Sequence, residues 1–462
     1  MIGEIDIRCL SSWFRSRRWC EFKNQAKIDT DLQWLKNIGK GIYLTVVKVS
    51  STKNQQLYYI PLLSTSREKH VISMDSCIEL GTDNFLCEAE YYPVYYNHIF
   101  INSEILNENE IHVDIFKDIK PASMVKPVKG STNPVIKIIC DGDEAYILKT
   151  YRKVYKRNRE HIFLKKLQSR VAFIPSVFAE LIHTRYGVFT VILNFFEAKS
   201  DGGLPFYNNL ISYLEGTDDI AVSLAEKLGV ITAGLHRALV DYMDPLFKPE
   251  TITRNDILTW KNRILRNIEK SEVNVNQKIL KNIIGNLDKY LGLLKMQIHQ
   301  DYHLSQLLYT KNGDFIVLDF EGEPGRYCDE LFLKEPALRD LGCMIRSFDY
   351  LSYFALSNYL GLDLKKTFSH YRKNLQIFEW RQFMIQAFMR GYFKGIANAV
   401  EKIFGDIADI ERALSLVLPW ILEKALYEIL YEKRYRPYYA IVPKYGVYEL
   451  LYMKHPIFGV TL

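Results

Sequence analysis

Residues 298–324 read IHQDYHLSQLLYTKNGDFIVLDFEGEP. Asn312-Gly313 is the strongest short hairpin signal in the chain, because both turn positions tolerate positive φ. It predicts that QLLYT (306–310) and FIVLDFE (315–321) pair across the turn KNGD. A hairpin folds back on itself. Asp301, ahead of the first strand, and Asp319, in the second, are therefore predicted to lie close although far apart in sequence. Taken alone, Asp301 reads as an ordinary helix-cap or turn aspartate. The joint pattern of His299, Asp301, Gln306 and a returning hairpin selects a different reading.

A phosphoryl transfer asks little covalent chemistry of a protein. It needs the acceptor hydroxyl held in line and the phosphate charge neutralised, largely by metal ions. That calls for a carboxylate at the hydroxyl, a metal-binding carboxylate nearby and an oxygen-bearing side chain to complete the metal shell. The pattern H-x-D-x-x-x-x-N followed by an aspartate after a hairpin supplies them. Here Asp301 would orient the hydroxyl and accept its proton, and Asp319 would bind Mg²⁺. Gln306 stands at the asparagine position, with an amide oxygen suited to the same role. His299 is favoured as a buried scaffold that orients the loop over a general base.

The nucleotide side needs a lysine on a strand and a loop over the phosphates. PVIKIIC (134–140), the turn DGDE and AYILKTY (145–151) read as strand, turn and strand, which places Lys149 on the second strand. A strand-end lysine is usually a solvated charge, but this one follows the turn GSTNPV by a single hairpin. Gly130, Ser131, Thr132 and Asn133 would cover the phosphates through backbone N–H groups and hydroxyls. The motif is not G-x-G-x-x-G, and a plain loop is the alternative. Glu160, on the following helix KRNREHIFLKKLQ (156–168), is the nearest acid that could pair with Lys149. ATP and Mg²⁺ are thus the implied cofactors.

Further out, YLTVVKVSS and QLYYIPLLS flank the polar TKNQ and predict a hairpin, and a second strand pair is predicted around 72–90 and 98–105. From about residue 205 the apolar spacing turns helical. The length of 462 residues suits two or three domains. The +6 formal charge is scattered, with no clustered basic face for nucleic acid. No run of about 20 residues is apolar enough to cross a bilayer, and the start lacks a signal-peptide apolar region. Seven cysteines without C-x-x-C spacing predict reduced, mostly buried thiols and no zinc site. A soluble, cytoplasmic protein is expected.

With these residues in hand, the chain resembles the maltokinases, relatives of the aminoglycoside phosphotransferases, over essentially its whole length. Trp13-Phe14 with Arg17 and Arg18 looks like the start of their cap domain, and Tyr59-Ile60-Pro61-Leu62 looks like a strand of it. GSTNPV resembles their Q-S-N-T-S loop, and LKTYRK resembles their lysine strand. DFEGEP, LRDLGCMIRSFDY (338–350) and LEKALYEILYEKRYRP (422–437) are long and specific. Two features depart from the pattern. Gln300 replaces a small residue, and the N-P-x-x-E run after the lysine strand is missing.

The resemblance implies an α+β, bilobal, protein-kinase-like fold in three parts. Residues 1–115 would form a β-rich cap subdomain, 116–200 an intermediate subdomain completing the nucleotide-binding lobe, and 201–462 a helical lobe with the catalytic loop and a sugar channel. It implies MgATP-dependent phosphorylation of maltose to maltose 1-phosphate, with a link to trehalose synthase or glucan-synthesis enzymes but no attached synthase domain. Asp301 would be the base, with Gln306 and Asp319 the metal ligands. Glu321 would support the metal, and His303 would lie beside the acceptor. Lys424, Tyr427 and Tyr431 would line the sugar channel; their i, i+3, i+7 spacing puts them on one helix face. Another sugar such as glucosamine is the competing acceptor. A non-catalytic nucleotide- or sugar-binding module is the third reading.

Overall fold

Strand QLYYIPLLS shows why the first half of the chain is layered. Its side chains alternate across the sheet, and both faces are apolar. Tyr58, Ile60 and Leu62 are buried against Trp13, Phe14 and Phe22, whereas Tyr59 and Leu63 face a second core with Leu44, Val46, Ile136, Leu148 and Ile192. A computed structural model describes residues 7–459 of the chain, apart from 24, 26, 53, 67–75, 82–83, 104–109, 143, 218–220, 327, 406–409 and 453–454.

The chain divides into two units, Met1–Gln168 with Pro175–Phe196 and Ser169–Ile174 with Glu197–Leu462. In the first, a helix Ile7–Ser16 is followed by an antiparallel sheet of β1 (Asp29–Gly39), β2 (Ile42–Ser50), β3 (Gln55–Ser66), β4 (Cys77–Gly81) and β5 (Asn84–Glu88), in the order β1-β2-β3-β5-β4. The predicted hairpin is β2–β3, with Ser50 opposite Gln55. A six-stranded sheet follows, ordered β6-β10-β11-β9-β8-β7. Its strands are β6 (Ile111–Ile115), β7 (Ala122–Pro127), β8 (Val135–Cys140), β9 (Ala145–Thr150), β10 (Val177–His183) and β11 (Gly187–Asn194). The ring of Tyr59 on β3 stacks on Phe189 of β11 at 3.9 Å, joining the two sheets. Burying each such large side chain contributes about 1.5–3 kcal/mol.

Two expectations need correction in this unit. The strand predicted at 98–105, whose last two residues lie outside the described ones, is helical over 98–101 instead: Pro93–Tyr96 is an α-turn and Asn97–Ile101 a π-turn. Pro93 starts it at the first helical position. Tyr95, Tyr96, Ile99 and Phe100 are all buried, a spacing that suits one helix face and not alternation. The strand pair around 72–90 is β4–β5, although its start falls outside the described residues. The cysteines are not all reduced, because Cys77 and Cys87, opposite each other on β4 and β5, form a disulfide. Cys20, Cys140 and Cys343 are buried free thiols.

The second unit is mainly helical, with β12 (Ala198–Asp201), β15 (Leu307–Thr310) and β16 (Phe315–Val317) in one small sheet and β13 (Glu250–Thr251) paired with β14 (Leu294–Lys295). None of the described helices is long and apolar enough to cross a membrane. Helices Val222–Leu239 and Leu375–Ile396 pack backbone to backbone. Glycine is required at that crossing. A Cβ on Gly391 would lie 2.0 Å from the Glu226 carbonyl oxygen, and one on Gly229 would lie 2.1 Å from that of Phe388. Gly391→Ala should force the helices apart and cost at least about 1–3 kcal/mol. Chemical denaturation checks this, and an unchanged midpoint would contradict the packing.

Candidate active site

The Asn312-Gly313 hairpin forms as β15–β16, with Leu307 opposite Val317 and Tyr309 opposite Phe315. Gly313 sits at φ 77°, the left-handed conformation the turn needs. Past the last strand pair, the Leu318 N–H donates to the Gln306 carbonyl at 2.9 Å. This register brings Gln306 and Asp319 together: the Gln306 amide donates to Asp319 Oδ2 at 3.1 Å. A carboxylate oxygen of Asp319 and one of Glu321 lie within 4.8 Å of each other.

The loop before the hairpin is held from several sides. Asp340, at the start of helix Leu338–Leu360, accepts the backbone N–H of His299 at 2.7 Å and of Gln300 at 3.0 Å. Its carboxylate also meets His236 Nε2 at 3.2 Å. Burial would raise the pKa of Asp340, but the bonds from His236 and His299 hold it below the usual value. His299 Nε2 donates to the Leu318 carbonyl at 2.8 Å, tying the loop to the residue before Asp319. That is a scaffold contact. Because the Thr232 hydroxyl donates to Leu228, the Tyr302 hydroxyl donates to Thr232, at 2.9 Å. The Leu304 N–H donates to Ser347 at 3.0 Å.

Four described non-glycine residues have positive φ, and two of them are here: Gln300 at 75° and Asp319 at 62°. Such backbone costs about 1–3 kcal/mol, and it persists where the surroundings over-determine it. Gln300 is fully buried. Its amide donates to the carbonyls of Leu331 at 3.1 Å and Leu333 at 3.3 Å.

Asp301 is 6% exposed. Lys424 Nζ, from helix Ile410–Tyr435, lies 2.6 Å from its Oδ1, and His303 Nε2 lies 3.5 Å from its Oδ2. Burial would raise the pKa of Asp301, but Lys424 and His303 outweigh it and hold the carboxyl well below the usual carboxylate range. Tyr427 and Tyr431 share the Lys424 face. The Tyr427 ring lies 4.6 Å from the ammonium, and its hydroxyl donates to the Pro324 carbonyl at 3.2 Å. Tyr435 extends the row, with its ring 4.8 Å from that of Tyr431.

In the first unit, Lys149 on β9 and Glu160 in the first turn of helix Arg159–Leu167 form a buried ion pair at 2.6 Å. Asn158 caps that helix by accepting the His161 N–H at 3.0 Å, which places Glu160 in its first turn. Gly130, Ser131 and Thr132 form an exposed turn between β7 and β8. Asn133 is committed elsewhere: its side-chain oxygen accepts the Arg152 N–H at 2.9 Å.

Beneath the loop that precedes the hairpin, Arg339 donates to the Gln300 carbonyl, to both oxygens of Glu323 and to Glu423, each at 2.9 Å. Arg263 and Arg326 meet Glu335 at 2.7 and 3.2 Å, and Arg263 also meets Glu423. Neither Arg339 nor Asp340 had been singled out as a functional position, although both stand in the quoted motif LRDLGCMIRSFDY.

Comparison with known proteins follows this geometry. Residues 125–348 match the model of the phosphotransferase enzyme family. The chain is 23% identical over 248 residues to a glucosamine kinase from Streptacidiphilus jiangxiensis, a match spanning 51% of this chain and 51% of that relative. The chain thus spans about half the length of the curated relative it matches. A glucosamine kinase solved with glucosamine, ADP and inorganic phosphate has a TM-score of 0.67 at 16% identity, over 96% of this chain and 99% of that one. A further crystal form of glucosamine kinase gives 0.70 at 16% identity, over 98% and 99%. The fold of this chain is therefore aminoglycoside phosphotransferase-like and protein-kinase-like, α+β, as the sequence predicted.

Asp340→Ala would orphan two buried N–H donors, each worth about 1–3 kcal/mol. The expected result is a lowered melting temperature. An unchanged melting temperature would contradict the clamp.

Proposed function

We propose that the protein is an ATP-dependent sugar kinase in which Asp301 orients and deprotonates the acceptor hydroxyl. One observation carries this reading. An ionised, nearly buried aspartate stands on the loop that leads into a hairpin bearing Gln306, Asp319 and Glu321. Carboxylate and amide oxygens are the hard donors that suit Mg²⁺. Gln306, Asp319 and Glu321 would hold that ion, which when bound neutralises phosphate charge. The Lys149–Glu160 pair matches the lysine–glutamate pair that protein kinases use on the nucleotide phosphates. Ser131 and Thr132 are the exposed hydroxyls of the proposed phosphate-covering turn, and Asn133 fixes its base. The division at 1–115, 116–200 and 201–462 and a cytoplasmic setting belong to the same proposal.

Glucosamine is the acceptor we favour, because the relatives similar over most or half of the chain are named for it. Maltose is the second reading, supported by the resemblance of LEKALYEILYEKRYRP to maltokinases and by the aromatic row Tyr427, Tyr431, Tyr435. A link to trehalose synthase or glucan-synthesis enzymes follows only in that case.

An ADP-release assay over a sugar panel tests the reading. Turnover of glucosamine above maltose is expected. The reverse ranking would establish maltose, and no turnover of any sugar would end the kinase proposal. Asp301→Asn should lower turnover by at least about a hundredfold while nucleotide affinity stays close to wild type. Undiminished turnover would remove Asp301 as the base. Chelation by EDTA should abolish activity and added Mg²⁺ restore it.

A further inference from the structure

We propose that Lys424 is a positioning residue for Asp301: its ammonium fixes Oδ1 and leaves Oδ2, on the His303 side, to take the proton of the acceptor hydroxyl. The inference rests on the sugar-kinase reading and goes beyond it, moving Lys424 from the sugar wall to the base.

The two ends of the ion pair are 5% and 6% exposed, so the contact is sheltered from water. At 2.6 Å it is a short, charge-assisted bond, which fixes the carboxylate plane as well as its charge. Oδ2 is 3.5 Å from His303 Nε2, longer than an ordinary N–H···O bond, and so is the oxygen open to a further donor. Glu323, another carboxylate facing Lys424, has both oxygens taken by Arg339 at 2.9 Å. The remaining neighbours leave Lys424 as the dominant charge. Tyr427 and Tyr431 face Asp301 from the same helix, and burial pushes both hydroxyls up. Cys343 faces Lys424 from helix Leu338–Leu360, and burial pushes its thiol up as well. Burial would lower Lys424, but Asp301 and these neighbours hold it well above the usual lysine value, so it stays charged. Glu428 lies on the same helix, and its carboxylate is bound by Arg346 at 2.9 Å.

In the step itself, the acceptor O–H bond breaks and its proton passes to Asp301 Oδ2. The freed oxygen pair forms the bond to the γ-phosphorus of ATP. The bond from that phosphorus to the β–γ bridging oxygen breaks, and its electron pair leaves with ADP. A base weakened by a neighbouring ammonium is adequate here, because the loose transition state of phosphoryl transfer asks for orientation more than for strong proton abstraction.

Lys424→Met and Lys424→Arg test this, with kcat, acceptor KM and the pH profile of kcat/KM measured on glucosamine. A thermal shift with MgATP establishes folding. For Lys424→Met we expect kcat to fall at least about tenfold, acceptor KM to stay near wild type, and the acid limb to move up by about one pH unit or more. Lys424→Arg should return the limb to its wild-type place. Lys424→Met that raises acceptor KM but keeps kcat and the acid limb would make Lys424 a sugar contact and overturn the proposal. So would unchanged kinetics. If Lys424→Met does not fold, Lys424→Gln is read by the same criteria. A wild-type acid limb at or above the ordinary aspartate value of about 3.9 overturns the proposal independently of any variant. A wild-type protein that phosphorylates no sugar would retire the kinase reading itself, whereas a failed Lys424 test leaves it standing.

Discussion

The clamp of Asp340 on the backbone N–H groups of His299 and Gln300 is the contact on which the site depends. A carboxylate that accepts three donors inside the helical unit can hold a left-handed glutamine in place against its own strain. With Gln300 fixed, the chain direction at Asp301 is fixed. His299 then carries the constraint across to Leu318, and so to Asp319. Two aspartates from separate parts of the sequence thereby share one frame.

The support below that frame is ionic. Arg339 closes on Glu323 and Glu423, while Arg263 and Arg326 meet Glu335. A buried ion pair is weak support for net stability, since desolvation offsets most of its attraction. Removing one partner is costly all the same. The network therefore serves better as a fixer of geometry: Arg339 also holds the Gln300 carbonyl, so loop position and network satisfaction are one condition.

Much of this was legible in the sequence because it is local. Asn312-Gly313 dictates its hairpin by backbone conformation alone, and the short apolar run of 135–140, ended by the turn at Asp141-Gly142, reads as a strand. Asn158 marks the start of its helix by capping. What stayed hidden depends on contacts between distant residues. No period relates Lys424 to Asp301, and the sequence offered Lys424 to a sugar instead. The partner of Lys149 was open for the same reason. The start of the strand predicted at 98–105 is helical because Pro93 and the four-residue spacing of Tyr95, Tyr96, Ile99 and Phe100 make a helical turn. Cys77 and Cys87 meet only through the register of β4 and β5.

A crystal structure of the protein with glucosamine, Mg²⁺ and a non-hydrolysable ATP analogue tests the central claim most directly. The account predicts a sugar hydroxyl within about 3.2 Å of Asp301 and the metal on Asp319. A sugar bound away from Asp301, or a metal that ignores Asp319, would contradict it.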